Sequence, residues 1–303
     1  MSEIPVPDAQ ETTGVFVEHR ELLFGVVYNM LGSVTDTEDV LQDTWLSWSR
    51  RGAGGIDNPR AYLVRITVNH ALQRRAVVNR RRETYVGPWL PEPLLTDEAS
   101  ADDPALRTES VSLAMLVVLE SLSPLERAVF VLHEVFGYPH AEIAEIIDRT
   151  PAAVRQLAHR ARAPVHARRP LYEARPQVRR EATERFVRAA VGGDIAELME
   201  ILAPDVTVWT DGGGMRKQAL RPVHGREKAA RLLNGYARQG GAQALGLEVR
   251  HRRGNGDDAA VLFEHDSPYA VIVLDLTPEG DRDSNLFVVT NPDKLTHVQK
   301  EEA

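Results

Sequence analysis

Arginine, glutamine and histidine recur at helical spacing in TPAAVRQLAHRARAPVHARR, Thr150 to Arg169, and side chains of these types donate hydrogen bonds to base edges and phosphates. With Val154, Leu157, Ala158 and Ala161 as an inner stripe, Arg155, Gln156, His159, Arg160 and Arg162 share an outer face with no acid of its own. Arg155 and Gln156 open the helix, where base edges are reached, and the later arginines with His166, Arg168 and Arg169 suit phosphates. An ordinary helical hairpin with a solvated basic face is the competing reading. Two further charge blocks stand out. From Asn58 to Arg82 there are seven arginines and no acid, a composition that fits a polyanion, while Asp36 to Asp43 packs four acids into eight residues. Acids early in a helix are also favoured by its dipole, which accounts for Asp36 and Asp39 but not for Asp43.

These side chains need helices to hold them. Ile143, Ile146 and Ile147 keep helical spacing, Asp148-Arg149 interrupts it, and Thr150-Pro151 restarts it as N-cap and first helical residue, giving a helix-turn-helix. Ser123 to Glu126 reads as a capping box for a preceding helix with Leu125, Val129, Leu132 and Phe136 on one face, ended by Gly137. Residues 1–13 read as a mobile tail, and the apolar repeat from Val15 to Leu31 predicts a long helix stopped by Gly32. Thr35 to Glu38 reads as a second capping box. The helix it opens buries Val40, Leu41, Trp45 and Trp48 and shows Asp36, Asp39, Gln42 and Asp43 on its other side. Asn58-Pro59 begins the arginine-rich helix, with Val64, Val68, Ala71 and Leu72 inward, Arg65, Asn69, Arg74 and Arg75 on other faces, and a basic end at Arg80, Arg81 and Arg82.

The 303 residues suffice for two or three domains, with globular proportions of 43% hydrophobic and 26% charged residues. Absent cysteine excludes disulfides and thiolate metal sites. The net charge of -8 argues against indiscriminate nucleic-acid binding, so the basic faces imply a localised contact with DNA and the acidic one a contact with a basic protein surface. With no apolar leader and no membrane-length apolar run, the expectation is a soluble cytoplasmic protein that makes no membrane contact.

Residues 83–109 are rich in proline and acid and read as a linker containing GPWLPEPL. Beyond it, helical periodicity around Phe186 and Leu198 gives way to strands at Val206–Trp209, Leu245–Arg250, Ala259–Phe263, Tyr269–Leu276 and Leu286–Val289. Helices followed by a curved antiparallel sheet make an α+β cone. His224, Asp211 and Asp275 are its candidate acids and bases, but no spacing pairs them, and DGGG from Asp211 is more simply a tight turn needing positive φ. With no metal spacing, phosphate loop or nucleophile elbow, no enzyme, catalytic residue, metal or cofactor is expected.

The segments MLGSVTDTEDVLQDTWLSW, NPRAYLVRITVNHAL, LSPLERAVFVLHEVFGYPHAEIAEII and TPAAVRQLAHRAR, in this order, resemble domains two and four of extracytoplasmic-function sigma factors. The linker motif and the cone resemble the SigJ-type subgroup, which carries a SnoaL-like, nuclear-transport-factor-like domain in place of a separate anti-sigma protein. The resemblance implies a multi-domain chain: sigma domain two (14–82), linker (83–109), sigma domain four (110–170) and SnoaL-like domain (171–303). It implies core RNA polymerase and promoter DNA as partners. Asp36, Asp39, Gln42 and Asp43 would dock on the beta-prime clamp, with domain four on the beta flap. The helix from Pro59 would melt and hold the minus-ten strand, with Arg65, Arg74, Arg75, Arg80 and Arg81 on DNA and Asn69 near a flipped base. Arg155, Gln156, His159, Arg160 and Arg162 would serve the minus-35 element. Three signatures, Trp89-Leu90-Pro91-Glu92-Pro93, Asp211-Gly212-Gly213 and Asn291-Pro292-Asp293-Lys294, would mediate regulation between domains. Where the subgroup has a basic residue after DGGG, Met215 stands here, followed by Arg216 and Lys217. The cone leaves room for a small ligand. A ligand-sensing repressor acting without polymerase and a sigma module fused to an isomerase or hydrolase are the other functional classes open to the same residues.

Overall fold

The computed structural model describes residues 9–96, 111–166, 175–238, 246–277, 280 and 282–298. Arg168, Arg169 and the part of the linker from 97 to 109 lie outside the described residues. The chain forms two compact units that do not follow its order. Of the described residues, unit 1 takes 9–83, 111 and 118–166, and unit 2 takes 84–96, 112–117, 175–238, 246–277, 280 and 282–298.

Unit 1 is all helical. Helix α1 (Ala9–Leu31) begins inside the expected tail, because Thr12 is buried and its carbonyl accepts the indole N–H of the fully buried Trp48 at 2.7 Å. Gly32, at φ +69, closes it with an N–H to Tyr28 O, as expected. Helix α2 (Val34–Arg51) is capped by Ser33, whose hydroxyl accepts Asp36 N, and not by Thr35. The apolar run up to Gly32 brings the chain into the helix two residues sooner than the Thr35 motif implies. Helix α3 (Pro59–Glu83) is capped by Asn58 through Ala61 N at 3.0 Å, as expected.

Helix α4 (Leu113–Leu119), whose residues up to Val117 belong to unit 2, precedes α5 (Pro124–Phe130), which has the full Ser123–Glu126 capping box and continues through a π-helical turn, Val131–Val135, to Gly137. Helices α6 (His140–Ile146) and α7 (Pro151–His166) form the helix-turn-helix. Thr150 caps α7 through Ala153 N, and Ile143, Ile146, Val154 and Leu157 are buried between the two.

Unit 2 packs helices α8 (Pro176–Gly192), α9 (Ile195–Ile201) and α10 (Arg226–Arg238) against one face of a seven-stranded sheet in the order β1-β4-β5-β6-β7-β2-β3. The strands are β1 (Leu95–Thr96), β2 (Leu202–Asp211), β3 (Val223–His224), β4 (Leu247–Gly254), β5 (Asp257–Glu264), β6 (Ser267–Leu276) and β7 (Asp283–Val289). The expected all-antiparallel sheet is corrected to a mixed one, since β2 and β7 run parallel, Trp209 beside Phe287. The other sheet face buries Leu90 and Leu113 among Val261, Phe263, Val273 and Phe287. Thus the expected linker residues 84–96 form a strand and a core contact of unit 2.

Candidate nucleic-acid interface and linker clamp

On α7, Arg155, Gln156, His159 and Arg160 are exposed along one face, as their spacing predicts. The face is not free of acid, because α5 and its π turn supply one to each later arginine: Glu126 to Arg160 at 3.1 Å and Glu134 to Arg162 at 2.7 Å. Arg155 and Gln156 meet no such acid among the described residues and line a shallow surface with Ala152, His159 and Arg160.

Helix α3 divides its arginines. Arg65, Arg80 and Arg81 are exposed. Arg74 turns onto α2 and pairs with Asp36 at 2.6 Å and Asp39 at 2.5 Å, while Arg81 approaches Asp36 at 3.6 Å. On α2 only Gln42 and Asp43 of the expected acidic contacts remain exposed and outside these pairs. Arg75 is not on an outer face: it is 4% exposed and donates to Met30 O and Leu31 O. Its place follows from sequence spacing, because Val64, Val68, Ala71, Arg75 and Val78 make one buried stripe.

That stripe ends on Glu120, whose carboxylate accepts from Arg75 at 2.8 Å and also from Arg82 and Arg127. The same arginines donate to the C-terminal carbonyls of α1, Arg82 to Leu31 O and Arg127 to Asn29 O, supplying the cations that the last turn of α1 lacks. Burial alone would push Glu120 up, but the charges of Arg127, Arg75 and Arg82 outweigh it and hold the carboxyl at about 2. Desolvation pulls Arg82 and Arg127 down to about 9 and about 10, which leaves both protonated at neutral pH. Asn69 is half-buried and donates to Arg65 O at 2.9 Å and, across to α6, to Ile146 O at 3.4 Å.

In unit 2 the three signatures meet on Asp211, at the end of β2. Its fully buried carboxylate accepts four donors: Tyr85 Oη at 2.5 Å, Leu90 N at 2.8 Å, Lys294 Nζ at 2.7 Å and its own turn's Gly213 N at 3.2 Å. Lys294 Nζ also donates to Leu90 O at 2.5 Å and lies 4.0 Å from the Trp89 ring centre and 5.0 Å from that of Tyr85. Asn291 donates to Tyr85 Oη at 2.7 Å. Desolvation first, and then the Asp211 carboxylate, push the Tyr85 phenol up, so it stays a donor.

Gly213 sits at φ +59 against the Asn291 amide, and a side chain at Gly212 would meet Arg216 O at 2.6 Å, so the DGGG turn needs its small residues. Pro91, Glu92 and Pro93 are buried, and Leu94 O accepts from Asn255 N at 2.9 Å while Leu94 N donates to the Asn255 side-chain Oδ1 at 3.1 Å. Pro292 and Asp293 are exposed, so the third signature works through its first and last residues, Asn291 and Lys294. Met215 is 53% exposed, and the cation of the clamp is Lys294.

Tyr85, Asn255, His297 (bonded to Pro93 O at 2.8 Å) and Glu120 join these sites without having been singled out in the sequence. Tyr85 stands two residues before GPWLPEP, the signal that could have found it. The candidate acids and bases do not form one site: Asp211 is engaged by the linker, His224 on edge strand β3 bonds Thr207 of β2, and Asp275 accepts from Asn285. Among the described residues there is no metal-binding cluster, and no helix is long and apolar enough to cross a membrane.

Residues 15–82 match the sigma-70 region 2 family, 112–163 the sigma-70 region 4 family, and 183–289 the SnoaL-like domain family. The chain is 35% identical to the ECF RNA polymerase sigma factor SigJ of Mycobacterium tuberculosis over 91% of both chains. It is 34% identical to the probable ECF RNA polymerase sigma factor SigI of the same species, over 62% of this chain and 66% of that one. The crystal structure of Mycobacterium tuberculosis extracytoplasmic function sigma factor SigJ superposes with a TM-score of 0.75 at 31% identity, covering 94% of this chain and 98% of that chain. With helical sigma regions two and four, a SnoaL-like mixed sheet, and this kinship along almost its full length, the chain belongs to the ECF RNA polymerase sigma factors.

Proposed function

We propose that this protein binds core RNA polymerase in the cytoplasm and directs initiation at promoters with minus-35 and minus-ten elements, and that its SnoaL-like domain is a non-catalytic regulator within the chain. The observation that carries the reading is the acid-free leading edge of α7, Arg155 and Gln156, on a capped helix-turn-helix in a chain of this family. Arg155, Gln156, His159 and Arg160 read the minus-35 element, with Arg162 on its phosphates. Arg65, Arg80 and Arg81 follow the minus-ten strand. Arg74, Arg75 and Asn69 serve it only after leaving the partners described above. Gln42 and Asp43 meet the beta-prime clamp directly, while Asp36 and Asp39 exchange Arg74 for it, and domain four meets the beta flap.

The clamp at Asp211 and Lys294 fixes the linker and substitutes for a separate anti-sigma protein. Run-off transcription with purified core polymerase and a promoter library tests the reading. Specific transcripts that require this chain are expected; duplex operator binding without polymerase, and no transcripts with it, would replace it by a repressor.

A further inference from the structure

The cone of unit 2 holds a cavity of about 790 Å³ that the linker clamp does not use. Its walls are apolar, with Phe186 on α8, Leu262 on β5, and Ala270 and Ile272 on β6. A cavity of this size accepts an organic molecule of drug-like dimensions, which such sites orient with a few polar groups, roughly 300–1,000 Å³ being typical.

The polar groups here are few and specific. Gln218 Oε1 is buried without a hydrogen-bond partner, and a buried acceptor left alone asks for a donor. The Arg216 guanidinium lies 4.1 Å from the ring centre of Tyr269, with Lys217 and Arg231 also at the wall against one acid, Glu264. The balance favours an anion.

The wall is tied to the clamp by short bonds. Ala219 N donates to Tyr236 Oη at 3.1 Å and Ala219 O accepts from Thr210 Oγ1 at 3.2 Å, and Thr210 is the neighbour of Asp211. Met215 N and Arg216 N both donate to Gly212 O, at 3.0 and 3.2 Å. A displacement of Arg216 or Gln218 therefore reaches Asp211 through a closed turn.

We propose that the cavity binds a small amphipathic acid, its apolar body on Phe186, Leu262 and Ile272, a donor on Gln218 Oε1 and its anionic group at Arg216, and that occupancy alters the linker clamp. The coupling rests on the clamp's regulatory reading; the binding site does not. A ligand shifts the clamp by its unequal affinity for the docked and undocked linker.

The test uses the full chain and 8-anilinonaphthalene-1-sulfonate, which carries apolar rings, an N–H and a sulfonate. One saturable site is expected. Ala270→Trp, which fills the cavity, and Arg216→Ala, at its wall, should each weaken binding by about tenfold or more, equivalent to roughly 1.4 kcal/mol. Thermal melts of each variant establish that it is folded. Because Arg216→Ala leaves the core intact, the test stands even if Ala270→Trp does not fold.

Binding that is absent, or unchanged in the folded variants, overturns the site. For the coupling, chymotrypsin cleavage after Tyr85 or Trp89 should change by about threefold or more at saturating probe, which corresponds to roughly 0.65 kcal/mol or more, and should not change in a folded variant that has lost probe binding. Cleavage indifferent to the probe overturns the coupling. Neither measurement contains polymerase, so their failure is distinct from failure of the sigma-factor reading.

Discussion

Lys294 offers the clearest single-residue experiment, because its charge, its hydrogen bonds and its ring contacts all end on the clamp. Lys294→Met keeps the aliphatic stem and strands Asp211, 0% exposed, as an unpaired buried carboxylate; breaking such a pair costs about 3–5 kcal/mol. The expected outcome is a lower denaturation midpoint together with faster cleavage after Trp89. Asp283 behaves in the opposite sense. Desolvation, only partly offset by Arg185, raises its carboxyl to about 8, so the folded protein binds a proton that the unfolded chain has released. Its contribution therefore favours the fold below the unfolded value near 3.8 and is lost progressively as pH rises toward 8. Asp283→Asn should raise the melting temperature more at pH 7.5 than at pH 5; an equal shift at both would disprove the buried proton. Arg75 was legible in part, since its spacing placed it on the buried stripe and only its charge argued outward. Tyr85 carried no periodic mark at all.

Among the elements, α7 was the most legible, because its cap, its first-turn proline and its inner stripe are all local features. The acids that meet Arg160 and Arg162 come from a different helix, which no pattern within α7 could show. The same locality explains the sheet. Strands β5, β6 and β7 announce themselves by composition, but the parallel pairing of β2 with β7 joins segments some seventy residues apart and leaves no trace in either one. Helix α7 also gives a graded prediction. Under the proposed function, Arg155→Ala or Gln156→Ala should cost about 1–3 kcal/mol of promoter discrimination each, whereas Arg162→Ala, at a residue proposed to meet phosphates and paired here with Glu134, should weaken all sequences alike. Binding measured across a set of minus-35 variants, at one fixed salt concentration, separates the two outcomes.

For the molecule as a whole, the net charge of -8 is divided among faces of opposite sign, and unit 1 neutralises part of its own basic helix through Glu120 and Asp36. With its carboxyl held near 2, Glu120 stabilises unit 1 above the unfolded value of 4.5, and that stabilisation, on the order of 3 kcal/mol, disappears as pH falls from 4.5 to 2. Denaturation midpoints of Glu120→Gln and the unsubstituted chain should therefore converge across that window and differ most near neutral pH. Parallel curves would remove the network from the account. The identity of the modules was readable from their motifs, but the composition of the two units was not, because Leu90 and Leu113 look like ordinary apolar residues until their neighbours are known. Those two residues carry a practical message for anyone recombining such proteins. A SnoaL-like domain transplanted from Arg175 onward would arrive with an open sheet edge at β4 and an uncovered apolar face. A working chimera has to bring 84–96 and 112–117 from the same parent.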